Sequence, residues 1–262
     1  MKYLVNALRA ELLKTKRTLA FWLALIAPAV IVGLQVLIVY DRREMYLARA
    51  SEYHAWLDYG GETLVMWSLL MLPLFITLET ALVAQWEHRA RQWKHLFALP
   101  VPRGVLYAAK QIAGMLLIGL SSLVLVALIV LTGLGFRLAV PGLGFEAPIP
   151  MGDYLKFVGI MFLGAWLLMA IQTWVAQRWS SFTVASAVGI ALTIAGVVAV
   201  QSDYGPYYPT TLPLIVASKF VESLSGINMP LDMPIKALAF GILGGVLVTM
   251  LAGWDMARRD VL

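Results

Sequence analysis

The stretch WEHRARQWKHLFALPVPRGVLYAAK, residues Trp86 to Lys110, is the longest basic interruption in a chain otherwise dominated by apolar segments. It carries five Lys or Arg residues against one acidic residue, Glu87, and two histidines that add charge when protonated. Lys and Arg in short loops between membrane spans are retained on the cytoplasmic side. The charge therefore predicts a cytoplasmic loop over residues 86–110, with a membrane-spanning helix on either side.

The pattern within this loop predicts a short amphipathic helix. Trp93, Leu96 and Phe97 recur at three- and four-residue spacing and so share one helix face. The cationic side chains fall on other faces: Arg89, Arg91 and Lys94. The helix ends at Leu99 because Pro100 cannot continue it. A short amphipathic helix between two spans is typical of a surface that docks a soluble partner.

This loop resembles the cytoplasmic signature of ABC-2 type transporter permeases. The signature has an acidic residue and a W-K-x-L element, which Glu87 and residues 93–96 match. It continues as L-P-V-x-R and a lysine, which residues 99–103 and Lys110 match, although Pro102 stands where Ser or Thr is commoner. Among the branches of the family, the loop is most similar to the small permeases of the bacitracin-resistance and lantibiotic-immunity kind.

The resemblance implies the transmembrane subunit of an ABC exporter, bound to two partner subunits that bind ATP and Mg and hydrolyse the ATP. It implies that the loop contains the coupling helix that contacts those ATPase subunits. The implied contact residues are Glu87, Arg89, Arg91, Trp93, Lys94, Leu96, Phe97 and Arg103. The implied substrate is amphipathic or hydrophobic, such as an antimicrobial peptide or a drug. A lipid or another small molecule is the alternative cargo, and a membrane-anchored structural or signalling subunit without transport is the alternative function.

Composition independently indicates an integral membrane protein. Hydrophobic residues make up 61% of the chain and charged residues 13%, with a mean hydropathy of +0.81. Soluble domains are roughly half apolar and about a quarter charged. The pI of about 9.5 does not indicate nucleic acid binding, because membrane topology and anionic lipid account for basic residues beside spans. We expect a protein of the bacterial inner (cytoplasmic) membrane that contacts lipid.

The chain predicts a single all-α domain, residues 1–262, with six spans. Residues 2–17 place Leu4, Leu8 and Leu12 on one face, which predicts an interfacial helix on the inner leaflet. Apolar segments of about 20 residues, long enough to cross a bilayer, lie at 19–39, 63–85, 111–135, 153–176, 182–200 and 235–254. Segment 201–234 is too broken for a span, and the resemblance implies re-entrant or interfacial helices there.

Charge distribution predicts the orientation of these spans. Of the 20 Lys and Arg residues, 13 lie in the predicted inner segments and 7 in the outer ones. Both termini are therefore predicted to be cytoplasmic, as an even number of spans requires.

Glu79 is the only carboxylate that falls well inside a predicted span. It precedes Trp86 by seven residues, which places it about 10 Å into the membrane at about 1.5 Å per residue. A charge at the bilayer centre costs at least about 2.5 to 3.5 kcal/mol on insertion scales. We therefore expect Glu79 to face protein or water. It is either a hydrogen-bonded or protonated structural residue, or part of a substrate pathway or of coupling.

Small residues at four-residue spacing predict close helix packing in two spans. They are Ala187, Ala191 and Ala195 in span 5, and Gly241 and Gly245 in span 6. The resemblance implies a dimer that packs partly through span 5, formed with a second copy or with a similar permease. For span 6, contacts within one chain and contacts between chains remain equally open.

The sequence shows no catalytic or metal-binding motif. The histidines lack the HExxH spacing of a zinc protease, and neither GxSxG nor the phosphate loop GxxxxGK[ST] occurs. We therefore expect ATP hydrolysis to belong to another chain.

Overall fold

The computed structural model describes residues 2–16, 18–48, 55–89, 101–215 and 233–258, and within these ranges the protein is helical with no strand. The all-α prediction is therefore confirmed. The helices are α1 (Lys2–Thr15), α2 (Leu19–Asp41), α3 (Arg43–Ala48), α4 (Ala55–Met66), α5 (Leu72–Arg89), α6 (Arg103–Ala139), α7 (Met151–Gly164), α8 (Trp166–Arg178), α9 (Phe182–Ala199) and α10 (Met233–Ala257).

Five continuous helical segments are long and apolar enough to cross a membrane. They are Leu19–Asp41, Ala55–His88, Arg103–Ala139, Phe182–Ala199 and Ile235–Ala257. Helices α7 and α8 bend by 44° at their junction and make a sixth span when they count as one. The predicted plan of six spans agrees with this arrangement, although the break in span 4 has no counterpart in the prediction.

Close backbone contacts accompany the break between α7 and α8. A Cβ atom on Gly164, the last residue of α7, would lie 3.2 Å from the backbone oxygen of Leu212. A Cβ atom on Gly241 of α10 would lie 3.2 Å from the Gly164 oxygen. Two glycines therefore allow α10 and the 212–213 segment to approach the bent span more closely than side chains would permit.

The second span contains a π-helical turn, Trp67–Met71, between α4 and α5. This turn comes just before Pro73, whose ring nitrogen cannot donate to an α-helical hydrogen bond. Trp67 is fully buried. The turn changes the direction in which the following residues face, since a π turn inserts an extra residue into the helix.

An aromatic cluster closes one end of the bundle. The Trp56 indole Nε1 donates to the backbone oxygen of Ala147 at 2.9 Å, and its ring packs edge-on against Phe145 at 5.0 Å between centroids. The Tyr154 hydroxyl donates to the Trp56 backbone oxygen, and Phe136 stacks on Phe145. These contacts hold the loop between α6 and α7 against the helix ends. We call this the aromatic end.

Helix α1 and the last turns of α10 both pack against the beginning of α6 at the opposite end, which we call the basal end. Ala7 of α1 packs against Leu106 and Ala109 of α6. Asp255 of α10 accepts a hydrogen bond from the Trp174 indole of α8 at 3.1 Å. Helix α1 covers Lys2–Thr15 of the helix predicted over residues 2–17, and its interfacial position stays a prediction.

Two predicted features fall largely outside the described residues. Helix α5 ends at Arg89, and residues 90–100, which hold most of the predicted coupling helix, are not described. The predicted re-entrant or interfacial helices between spans 5 and 6 are described only as far as residue 215. That part contains a 3-10 turn, Gly205–Tyr207, and helical residues 212–215.

Candidate functional site

Four charged side chains meet at the basal end, between α1, the end of α5 and the beginning of α6. The Lys110 Nζ atom donates to Glu11 Oε1 at 3.0 Å and also to Glu87 Oε1. The Lys14 Nζ atom donates to the same two oxygens, at 2.9 Å for Glu11 and 3.1 Å for Glu87. We call these four residues the basal ion cluster. It joins three helices that are far apart in the sequence.

Three of the four side chains are almost completely excluded from solvent. Lys110, Glu11 and Glu87 have side chains that are 2%, 4% and 3% exposed, whereas Lys14 is 38% exposed. Two cations and two carboxylates give a formal charge of zero. Each buried charge costs several kcal/mol to desolvate, so only a balanced set with mutual hydrogen bonds is tolerated. The charge balance is therefore a condition for burying this junction.

Lys14 stays charged at this site. Burial by itself lowers the pKa of its ammonium group, but the adjacent Glu87 and Glu11 carboxylates raise that pKa by more. The resulting pKa lies above the ordinary value for lysine. The ammonium group of Lys14 therefore stays protonated throughout the neutral pH range.

The amphipathic pattern of α1 explains why Glu11 reaches the cluster. The buried residues of this helix are Ala7, Glu11 and Thr15, which are four apart and so lie on one face. That face packs on α6, whereas Leu12 of the leucine face is exposed. The polar side of α1 thus turns partly toward the protein.

The cluster also fixes the two ends of the loop over residues 86–110. Glu87 lies in the last turn of α5, and Lys110 lies two turns into α6. Because both bind each other and α1, the two helix ends that flank the loop are joined to a third helix.

Glu79 lies eight residues before Glu87 on α5 and is 1% exposed. A cavity of about 20 Å³ lies beside it, lined also by Glu11 and Lys110. That volume holds about one water molecule. Within the described part of the chain, Glu79 Oε2 has no hydrogen-bond partner. On the α6 side, a Cβ atom on Gly114 would lie only 3.1 Å from Glu79 Oε1. Glu79 is therefore enclosed, and the small cavity connects it to the basal ion cluster.

The structure describes three of the predicted ATPase-contact residues. Glu87 is buried in the basal ion cluster instead of facing outward. Arg89 is the last residue of α5, and Arg103 begins α6 and donates to the Ala257 backbone oxygen at 3.2 Å. The other five lie outside the described residues: Arg91, Trp93, Lys94, Leu96 and Phe97.

The two predicted packing ridges have different surroundings. Gly241 and Gly245 are buried against the bent span, and a Cβ atom on Gly245 would lie 2.8 Å from the Trp166 ring. These glycines therefore serve contacts within this chain. The span 5 ridge is exposed along its length, at Ala187, Ala191 and Ala195. The buried stripe of α9 consists instead of Ala185, Ser186, Gly189, Thr193 and Gly196. Dimerisation through the alanine ridge stays a prediction.

Glu11, Lys14 and Lys110 were not among the predicted site residues. The sequence analysis includes Lys110 only as part of the loop signature. One sequence signal could have indicated the pairing. Glu11 is the only acidic residue in the basic segment 2–17, and Glu87 is the only one in the basic segment 86–110. A single carboxylate among cations suggests a specific partner.

Within the described residues, the bundle has five helices, or six with the bent pair, that are long and apolar enough to cross a membrane. These helices define a multi-pass integral membrane protein. The family model described as ABC-2 family transporter protein matches residues 7–196, well over half of the chain. The chain therefore belongs to the ABC-2 transporter family. The matched range includes the whole basal ion cluster and Glu79. A search of curated proteins found no match. The more specific likeness to bacitracin-resistance and lantibiotic-immunity permeases stays a prediction.

Charge exchange tests whether the basal ion cluster holds the three helices together. Lys110→Glu alone leaves three buried carboxylates facing Lys14, and we expect a loss of about 3 to 5 kcal/mol of stability. The double variant Glu87→Lys/Lys110→Glu restores the balance of two and two, so it should recover at least half of that loss. The melting temperature of the purified protein in detergent measures both effects.

The matched control is Lys156→Glu, which breaks an exposed ion pair with Asp153 on α7. Exposed pairs contribute about 0 to 1 kcal/mol, so this variant should melt close to the wild-type temperature. A double variant no more stable than Lys110→Glu would show that charge pairing does not stabilise the junction.

Proposed function

We propose that this chain is the transmembrane permease subunit of an ABC exporter that is driven by two separate ATPase subunits. Those subunits bind ATP and Mg, and this chain supplies the membrane passage. Family membership supports the transporter class. The observation that carries the coupling part of the proposal is the basal ion cluster, which binds both ends of the loop over residues 86–110 to each other and to α1.

The cluster makes this loop suitable for transmitting force. A soluble motor can act on buried helices only through a rigid element that it contacts. Here Glu87 and Lys110 are buried and ion-paired, so their separation is costly and little screened by salt. Movement of the loop therefore moves α5, α6 and α1 as a unit.

The proposed substrate is an amphipathic or hydrophobic compound, such as an antimicrobial peptide or a drug. The resemblance of the loop over residues 86–110 supports this class. The proposed complex contains two permease subunits, either two copies of this chain or this chain and a similar one. The exposed alanine ridge of α9 supports that pairing, because small residues let helices of two subunits approach closely.

The proposed orientation places the basal end in the cytoplasm of a bacterial cell, with both termini inside. The chain has no cysteine, so one introduced cysteine is a unique label. Ser202→Cys at the far end of α9 should react with an impermeant maleimide added to intact cells. Ser180→Cys, in the exposed turn between α8 and α9, should react only after the cells are opened. The reverse labelling pattern would overturn this orientation.

Replacing both Trp93 and Phe97 with Ala tests the coupling helix directly. Large aromatic anchors dominate the energetics of many interfaces. The double variant should lose its ATPase subunits during purification, or keep them without stimulation of ATP hydrolysis by substrate. Arg91→Glu should have a smaller effect that varies with salt, because exposed charges are screened within about 10 Å at 0.1 M. Co-purification and ATP hydrolysis rates measure these outcomes.

Trp179→Ala is the matched control, because this tryptophan is 51% exposed in another turn at the basal end. It should leave assembly and stimulation unchanged. Full assembly and normal transport in the Trp93 and Phe97 double variant would refute the coupling assignment.

Glu79→Gln tests whether this carboxyl takes part in coupling. Gln keeps the shape and hydrogen-bonding ability of the side chain but cannot carry the charge. Since Glu79 shares a cavity with Glu11 and Lys110, we expect weaker stimulation of ATP hydrolysis by substrate, with normal abundance in the membrane. Unchanged stimulation and transport would leave Glu79 with a structural role alone.

A further inference from the structure

A groove of about 360 Å³ opens beside the basal ion cluster. The end of α1, the beginning of α2 and the last turns of α5 form its walls. Its lining includes two cationic and four apolar or aromatic side chains, namely Lys14, Lys16, Leu19, Leu82, Val83 and Trp86. We call it the basal groove. It has a charged part and an apolar part, so it matches a ligand with the same two parts.

The charged part of the basal groove attracts an anion. Lys14 and Lys16 contribute two positive charges, and Glu87 contributes one negative charge that Lys14 and Lys110 already neutralise through Oε1. The charge of the lining residues therefore sums to +1. Lys16 is exposed, so its ammonium group can reach a ligand in the groove.

The first turn of α2 adds hydrogen-bond donors to the same place. The residue before the helix, Thr18, makes no capping hydrogen bond from its side chain. Its hydroxyl donates to the Thr15 backbone oxygen at 2.6 Å instead. The first amide groups of a helix have no acceptor within the helix, and Leu19 and Ala20, which carry such amides, line the groove. These amides and the helix dipole favour a negative group there.

Glu87 adds little to ligand binding in the groove. Its side chain is 3% exposed and its Oε1 atom is bound by Lys14 and Lys110. Its Oε2 atom is not accessible to solvent, so a ligand in the groove does not reach it. The groove therefore selects an anionic group through the exposed Lys16 and the first amides of α2.

The apolar part of the groove fits an acyl chain. Leu82 and Val83 of α5 are half-buried, and Leu19 of α2 is 58% exposed. Trp86 is 66% exposed and lines the same groove as the two lysines. Tryptophan is enriched where lipid headgroups meet the hydrocarbon region. Lysines and an indole above an apolar wall therefore match the layers of one lipid molecule.

We propose that the basal groove binds one anionic phospholipid, such as phosphatidylglycerol. The lipid phosphate binds Lys16 and the first amides of α2. An acyl chain lies against Leu82 and Val83. The test uses the purified chain without ATPase subunits, so its failure and the failure of the proposed transport function are distinguishable.

The purified full-length chain, freed of lipid and held in a neutral detergent, provides the test. Phosphatidylglycerol, phosphatidylethanolamine or phosphatidylcholine is added, and native mass spectrometry and melting temperature report binding. Phosphatidylglycerol should bind at least about tenfold more tightly than the other two. Lys16→Gln should weaken that binding by about three- to tenfold, in line with the loss of one near-surface cation.

Two further variants separate the groove from general attraction to anionic lipid. Lys2→Gln removes the same charge from the exposed amino-terminal end of α1 and should leave affinity unchanged. Leu82→Trp fills the apolar part and should abolish the tightest site while leaving the melting temperature without lipid close to that of the wild type. Equal binding of the three lipids by the wild type, or equal losses for Lys16→Gln and Lys2→Gln, would overturn the proposal.

Discussion

The four-charge ion cluster at the basal end is the interaction on which the rest of this structure depends. Lys110 and Lys14 both donate to Glu11 and Glu87, and three of these four side chains are almost fully buried. A single unpaired charge at this depth would cost several kcal/mol. The cluster therefore forms as a complete set, and its formation fixes the positions of α1, α5 and α6 relative to one another.

The basal ion cluster borders three other features of the structure. The loop between α5 and α6 leaves and re-enters the bundle through cluster residues, Glu87 and Lys110. On another side, the small cavity reaches Glu79, which is enclosed within the second span. On the third side lies the basal groove, which Lys14 and Glu87 line. The ends of the loop, Glu79 and the groove therefore border the same set of charges.

Close packing of small residues organises the other half of the bundle. Gly164 and Gly241 bring the bent span and α10 to backbone contact, where dispersion forces act without a hydrophobic driving force from lipid. The alanines of α9, by contrast, form a ridge on the outer surface. The same sequence pattern thus serves a contact within the chain in one span and leaves an open surface in another.

The sequence by itself determined the all-α class, the approximate helix positions and the family resemblance. These follow from local properties, namely runs of apolar residues long enough to cross a bilayer and a short loop signature. Only the tertiary structure decided that Glu11, Lys14, Glu87 and Lys110 meet, because residues 23 to 99 positions apart come together through helix packing. It also decided that the glycines of α10 face inward whereas the alanines of α9 face outward. Spacing reveals that a ridge exists, but the neighbouring helices determine what it contacts.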